Sequence, residues 1–290
     1  MRISIIGAGR VGTTLGRLAR LNGCEIGDVV CRSRSSAVNA ARFIGAGRPA
    51  SAARAKLTRA DLLLIATPDN AIADAVALIR RNAAAIGSPI VLHTSGALSS
   101  DVLGPLAQLG LAVGSCHPLQ TFESPSRAIR RVGGSHFCIE GDRRSLRAAR
   151  LLVRRIGARH FTIPTEAKAL YHAAAVLASG GVVALLSLSL EMLSLCGLSE
   201  REARLVLMPL VDGTIANVRT LGPAPALTGP VRRGDTDSIE RNMRAVADVD
   251  SRLLALYRLL AERGADLMER QGMDRAHLTR LRRLLKKFRP

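Results

Sequence analysis

The chain has 290 residues, 48 % of them hydrophobic and only 2 % aromatic, with no tryptophan. It is long enough to bury a sizeable core and form two domains, and too apolar to be disordered. The formal net charge is +19, but the basic residues are nearly all arginine, scattered over helix faces without interleaved aromatics. That pattern reads as a compositional bias that attracts anionic ligands, not as a nucleic-acid surface. Five cysteines, an odd number with no Cys-x-x-Cys, exclude a disulfide framework and a zinc site, and no other spacing suggests a metal. They point to a reducing compartment, the cytoplasm. The first residues read as a strand instead of a charged-then-apolar leader, so no export signal is expected.

Residues Arg2 to Ile6 form a short isoleucine-rich run, the pattern of a buried strand. Gly7-Ala8-Gly9-Arg10-Val11-Gly12 follows, a G-x-G-x-x-G, and then a helical run with Val11, Leu15, Leu18 and Leu21 on one face. Gly7 permits the tight turn, Gly9 lets a pyrophosphate approach the backbone, and Gly12 brings helix and strand together; amides at the helix start hold the phosphates. This strand–turn–helix context is what a dinucleotide cradle requires.

Glu25 to Cys31 predicts the second strand, ending in Arg32-Ser33-Arg34. An NAD-binding fold places an acid near here, on the ribose hydroxyls. Two arginines and a serine suit a 2′-phosphate instead, so NADP (as NADPH) is the expected cofactor. Asp28 lies too early in the strand for the ribose. A helix is expected over 35–44. Asp61 to Ala66 reads as a buried strand that delivers Ala66, Thr67 and Pro68 to the dinucleotide, with Asp69 as the N-cap of the next helix. Further strands are expected over 89–92, 111–115, 136–140 and 160–163, with polar loops at Ser95 and His117. Strands alternating with helices predict a doubly wound, mainly parallel α/β sheet over residues 1–163, with ligands beyond the carboxyl ends of its strands.

From Pro164 the strand signals stop, and residues 164–290 read as an all-helical domain. Thr165 to Cys196 predicts one long helix, uncharged from Ala173 to Leu190, whose small residues and charged flanks suit a buried central helix at a dimer interface more than a membrane span. Helices are also expected over 199–221, 237–264 and 274–287. The last belongs to a basic, leucine-striped tail expected to dock by its leucines. The Gly- and Pro-rich stretch 222–235 reads as a loop, leaning towards a functional one.

Lys168 and His172 lie one helical turn apart and face the same way. Such a pair can hold a carbonyl oxygen and pass it a proton during hydride transfer. Ser95 and His117 sit on loops where a substrate carboxylate would bind. Cys116 beside His117 is not a convincing thiol nucleophile, because neighbours along a strand face opposite sides.

IIGAGRVG, DLLLIATPDNAI, VLHTSGA, SCHPLQTF, KALYHAAAVLASG and ALTGPVRRGD occur in that order across nearly the whole chain. Together they resemble bacterial Rossmann-like proteins whose C-terminal half is a domain of unknown function of the DUF2520 type. That group is similar to 6-phosphogluconate dehydrogenase, pyrroline-5-carboxylate reductase and ketopantoate reductase. The resemblance implies a Rossmann domain followed by an all-α 6-phosphogluconate-dehydrogenase-like domain, often paired in a homodimer. Lys168 matches the lysine of the superfamily's Lys-x-x-x-Asn, with His172 in the Asn position. HPLQTF is similar to the His-Pro loop of prephenate dehydrogenase, which implies a substrate-side role for His117. The expected function is NADPH-dependent reduction of a small 2-oxo carboxylate, ketopantoate being one candidate. The alternatives are an imine reductase and a non-catalytic NADP-binding regulator. The regulator is suggested by Gly180 after Ser179, where the group shows Asn. Neither nucleic acid nor membrane is an expected partner.

Overall fold

The computed structural model describes residues 1–288 and divides the chain into two compact units, Met1–Val183 and Ala184–Pro290. Strand signals do end near Pro164, but the division falls later. The helix Lys168–Val176 belongs with the sheet, to which its first residues are hydrogen-bonded.

The first unit is built on one eight-stranded sheet: β1 (Arg2–Ile6), β2 (Glu25–Cys31), β3 (Arg48–Ser51), β4 (Leu62–Ile65), β5 (Ile90–His93), β6 (Val113–Leu119), β7 (His136–Gly141) and β8 (Arg159–Thr162). Their order is β3-β2-β1-β4-β5-β6-β7-β8. The first six of these are mutually parallel, β7 runs antiparallel to β6, and β8 is parallel to β7. Strand residues are apolar on both faces because both are covered. Ile3, Ile5, Leu62 and Leu64 enter one core, and Ile6, Leu63 and Ile65 enter the other. β3 carries no strand signal in Arg-Pro-Ala-Ser. It forms because it is an edge, where proline is tolerated, and because Arg48 binds the buried Asp28 of β2 opposite it.

Helix α1 (Arg10–Leu21) follows β1, α2 (Arg34–Ile44) follows β2, and α3 (Ile72–Arg81) follows β4. The chain winds from β1 outward to β3 and returns on the other side of β1 at β4, which creates the crevice where such folds bind ligands. Asp69 is not a helix N-cap. It opens a 3-10 turn, Asp69–Ala71, and its side chain makes no cap bond.

The long apolar helix runs from Thr165 to Leu195, with a π-helical turn at Leu177–Gly181. It has the length and hydropathy of a membrane span, and none of its most apolar window is buried within the chain. The expected burial of this central helix is therefore not supplied within one chain. A single chain supplies too few neighbours to cover it.

In the second unit, Ser199 and Glu202 form a capping box that starts Glu200–Leu221. The expected helix over 237–264 is two, Thr236–Ala247 and Ser251–Arg270, because Asp250 caps a new start by accepting from the Arg252 N–H. The stretch 222–235 holds two short helices, Pro223–Ala226 and Gly229–Arg233. Arg275–Lys287 docks through buried Leu278, Leu281, Leu284 and Leu285 beside Ile239 and Met243, so its apolar face is used within the chain.

Candidate active site

Five segments meet beyond the carboxyl ends of the parallel strands. They line a cleft of about 420 Å³ formed by Gly9, Arg10 and Val11; Ala66 to Asp69; Thr94, Ser95 and Gly96; His117, Pro118, Gln120 and Phe122; and His172. The first segment is the start of α1, the next two follow β4 and β5, the fourth begins within the last residues of β6, and His172 comes from the Lys168–Val176 helix. All belong to the first unit. His117 is a strand residue, paired with Cys138 of β7, and not the loop residue expected from the sequence.

The glycine turn forms one end. Gly7 has φ 86°, and a Cβ there would lie 2.5 Å from the Thr67 nitrogen, so the turn is closed to any side chain. Its N–H donates to the Val30 carbonyl at 2.8 Å, and Ala8 O accepts from Thr13 Oγ1 at 2.8 Å, which fixes Ala8 beneath the turn. Gly9 occupies the N-cap of α1 with no side-chain cap, and a Cβ there would meet open space. The helix-start amides are therefore free to face a phosphate. Gly12 packs against Gly7 O and Ala66, as helix–strand closeness requires. Thr67 Oγ1 is buried in this lining with no hydrogen-bond partner among the described residues, so it can donate to or accept from a ligand. These features fit a dinucleotide.

At the end of β2, Arg32, Ser33 and Arg34 are exposed. Ser33 caps α2 by accepting from the Ser36 N–H, and Arg34 Nη1 donates to the Pro49 carbonyl. Asp28 is engaged within the fold by Arg48 and by the Thr58 N–H and hydroxyl.

The other end is histidine-lined. A Cβ on Gly96 would stand 2.4 Å from His172 Nδ1 and 2.7 Å from His117 Nε2, so both imidazoles crowd one bare backbone position. Their rings cross edge to face, with centroids 5.9 Å apart. His172 Nδ1 is buried without a partner. His117 Nδ1 lies 2.8 Å from the Tyr171 hydroxyl. Burial, reinforced by the nearby Lys168 charge, pushes the His117 pKa down to about 4, so the ring is neutral at pH 7. Burial raises that of Tyr171, which remains a phenol.

Lys168 does not line the cleft. It is 1 % exposed, and its Nζ donates to Ser115 Oγ at 2.5 Å. Burial lowers its pKa, opposed by the charges of Glu140 and Asp69 among others. The one-turn spacing to His172 thus separates the two side chains, one into the interior and one onto the cleft wall. Ser95 lines the cleft, but its Oγ accepts from the Leu98 N–H, so only its hydroxyl proton is left for a ligand. Cys116 is buried, and its pKa is pushed up to about 12, which makes it an inert thiol.

Four supporting residues gave no usable sequence signal. His93 holds the loop after β5: its Nδ1 accepts from the Ser95 N–H and its Nε2 donates to Ser99 O. Burial pushes its pKa down to about 4. Buried Glu140 accepts from the Ser100 N–H and hydroxyl and from Thr165 Oγ1, tying the start of the Lys168 helix to the sheet. Ser115 and Tyr171 complete the group. Tyr171 lies one turn after Lys168, inside a motif already noted, and only the fold shows what it touches.

The model for a Rossmann-like domain matches residues 1–118, and that for DUF2520 matches residues 135–264. The chain thus joins a Rossmann-like domain to a DUF2520 domain. No curated protein matches this DUF2520-type chain. Among solved structures it is similar to a protein from Thermotoga maritima, at 28 % identity over 93 % of this chain and 99 % of that one, with TM-score 0.75. A provisionally assigned NADP oxidoreductase from Bacteroides fragilis is 25 % identical over 91 % and 97 %, with TM-score 0.71. The pyrroline carboxylate reductase of Plasmodium falciparum, solved with NADP bound, shares the fold at 11 % identity over 92 % and 98 %, with TM-score 0.59.

Proposed function

We infer that this chain is an NADP-dependent oxidoreductase that reduces a small 2-oxo carboxylate, a ketopantoate-like acid being one candidate. One observation carries the reading: a single cleft runs from an uncapped glycine-rich helix start to two imidazoles. The amides around Gly9, Arg10 and Val11 hold the pyrophosphate, and Ala66, Thr67 and Pro68 flank the dinucleotide. Arg32 and Arg34, with no acid beside them, favour the 2′-phosphate. The likeness to the Bacteroides NADP oxidoreductase supports a nicotinamide cofactor.

When bound, the reduced cofactor supplies the hydride. His117 and His172 hold the substrate oxygen over Gly96, and Ser95 orients the acid. Lys168 acts from behind. Its ammonium, buried beside Ser115, favours negative charge growing on that oxygen and disfavours a cationic iminium. That electrostatic preference sets the 2-oxo acid above the imine. The hydroxyl product takes its proton from solvent.

The five cysteines are all free thiols, which suits a cytoplasmic enzyme. The uncovered apolar side chains of the long helix, such as Leu170, Leu177 and Val183, suit a homodimer, to be checked by light scattering.

The test is a panel of 2-oxo acids and cyclic imines, each with NADPH and NADH, followed by absorbance of the reduced cofactor. Oxidation of NADPH by a 2-oxo acid is expected. Turnover with imines alone, or NADPH binding without any turnover, would overturn the reading.

A further inference from the structure

We propose that Tyr171 fixes His117 as the imidazole tautomer protonated on Nε2, so that the ring offers the cleft a hydrogen-bond donor. The catalytic meaning of this rests on the reductase reading above; the tautomer itself does not.

The geometry restricts the choices. The Tyr171 hydroxyl is 2.8 Å from Nδ1 of His117. The Tyr171 ring is held by edge contacts with His117 at 5.7 Å and with Phe161 of β8 at 5.8 Å. Either atom of the O···N pair can carry the proton in principle. A phenol is a better donor than a neutral imidazole N–H, and an imidazole nitrogen is a far better acceptor than a phenol oxygen. Both comparisons favour O–H···Nδ1; the Cys138 thiol, the hydroxyl's other hydrogen-bond neighbour, is only a weak acceptor. The ring's own proton then sits on Nε2, which faces the gap above Gly96.

The surroundings keep the ring from taking a second proton. Lys168, Tyr171 and His172 face it from the helix, and His93 from β5. On β7, Cys138 stands opposite it in register. Lys168, His172 and His93 all oppose a positive ring, while the carboxylates nearby, Asp69 of the cleft lining and buried Glu140, act on Lys168. His117 is thus an electrophilic donor, like a neutral imidazole that polarises a carbonyl, and not an imidazolium acid. Tyr171 is a positioning residue: it touches His117 and lies outside the cleft lining.

The experiment uses the full-length protein without cofactor, labelled with ¹⁵N-histidine, in two-bond proton–nitrogen correlation spectra. His117→Asn identifies the signals. His117 is expected to show a protonated Nε2 and a bare, hydrogen-bonded Nδ1, unchanged from about pH 8 down to about pH 5. In Tyr171→Phe the Nδ1-protonated form should rise to about a tenth or more of the population, once the preference supplied by the phenol is lost. A wild-type His117 protonated on Nδ1, or titrating near its ordinary value, would overturn the proposal even if the Phe variant failed to fold. If the spectra are as expected and no 2-oxo acid is reduced, the functional reading fails and the tautomer stands. With an active substrate, Tyr171→Phe should lose about 10- to 100-fold in kcat at every pH between about 6 and 8. His117→Asn, which keeps an amide donor, should retain more activity than His117→Ala.

Discussion

Lys168 Nζ donates to Ser115 Oγ at 2.5 Å, two residues before His117 on the same strand. That bond holds a cation behind the cleft wall, while His172, one turn along the helix, lines the cleft itself. On the proposed function, Lys168 acts through its field. Lys168→Met should lower kcat/KM for the 2-oxo acid by about 10²-fold, with little change in NADPH affinity. Its removal should also raise the His117 pKa above about 4, since the ammonium holds it down. Steady-state kinetics and histidine spectra check both; full activity in the variant would rule out the electrostatic role.

Gly96 is the floor between the imidazoles. Gly96→Ala puts a methyl 2.4 Å from His172 Nδ1 and 2.7 Å from His117 Nε2. The rings must move, at a cost of about 1–3 kcal/mol in stability. Turnover should fall about 100-fold or more, because misplacement of this order cripples catalysis. Denaturant titration and turnover rates read the two effects separately.

We propose that the arginines after β2 set cofactor choice. Replacing both Arg32 and Arg34 with alanine should weaken NADPH binding about 10- to 100-fold and leave NADH binding nearly unchanged. Calorimetry with each cofactor decides. Equal losses for both would assign the arginines no part in reading the 2′-phosphate.

Acid should destabilise the fold in a defined window. His93 and His117 have pKa values pushed down to about 4 by burial, with the Lys168 charge adding to it. Unfolded, each binds a proton near 6.5. Above that value neither state is protonated, and the groups leave stability unaffected. As pH falls from 6.5 towards 4 the unfolded chain takes up protons that the folded chain refuses, so stability drops. For fully buried His93 the loss approaches roughly 3 kcal/mol. Guanidinium unfolding from about pH 7.5 to about pH 4.5 should show the decline, and His93→Gln should make it shallower.

The parts of the site legible in sequence were those whose backbone demands are local. Gly7 and Gly9 declare a turn, and Ser199 and Asp274 declare helix starts, because each requirement lies within a few residues. Edge strand β3 was illegible because its stability comes from Asp28 and β2, not from Arg-Pro-Ala-Ser. The helical spacing of Lys168 and His172 gave their common helix, but a long lysine chain can thread past its face to Ser115, and no periodicity reports that. Tyr171 and His93 act through partners far away in sequence, Tyr171 on His117 and His93 under the loop carrying Gly96, so only the packed sheet reveals them.

We propose that the glycine turn and the two histidines are opposite ends of one reaction site. The most direct measurement is single-turnover oxidation of enzyme-bound NADPH by the active 2-oxo acid, in the wild type and in His172→Ala. An unchanged NADPH dissociation constant and hydride transfer slowed by about 100-fold or more are expected. Hydride transfer at the wild-type rate in the variant would contradict the proposal.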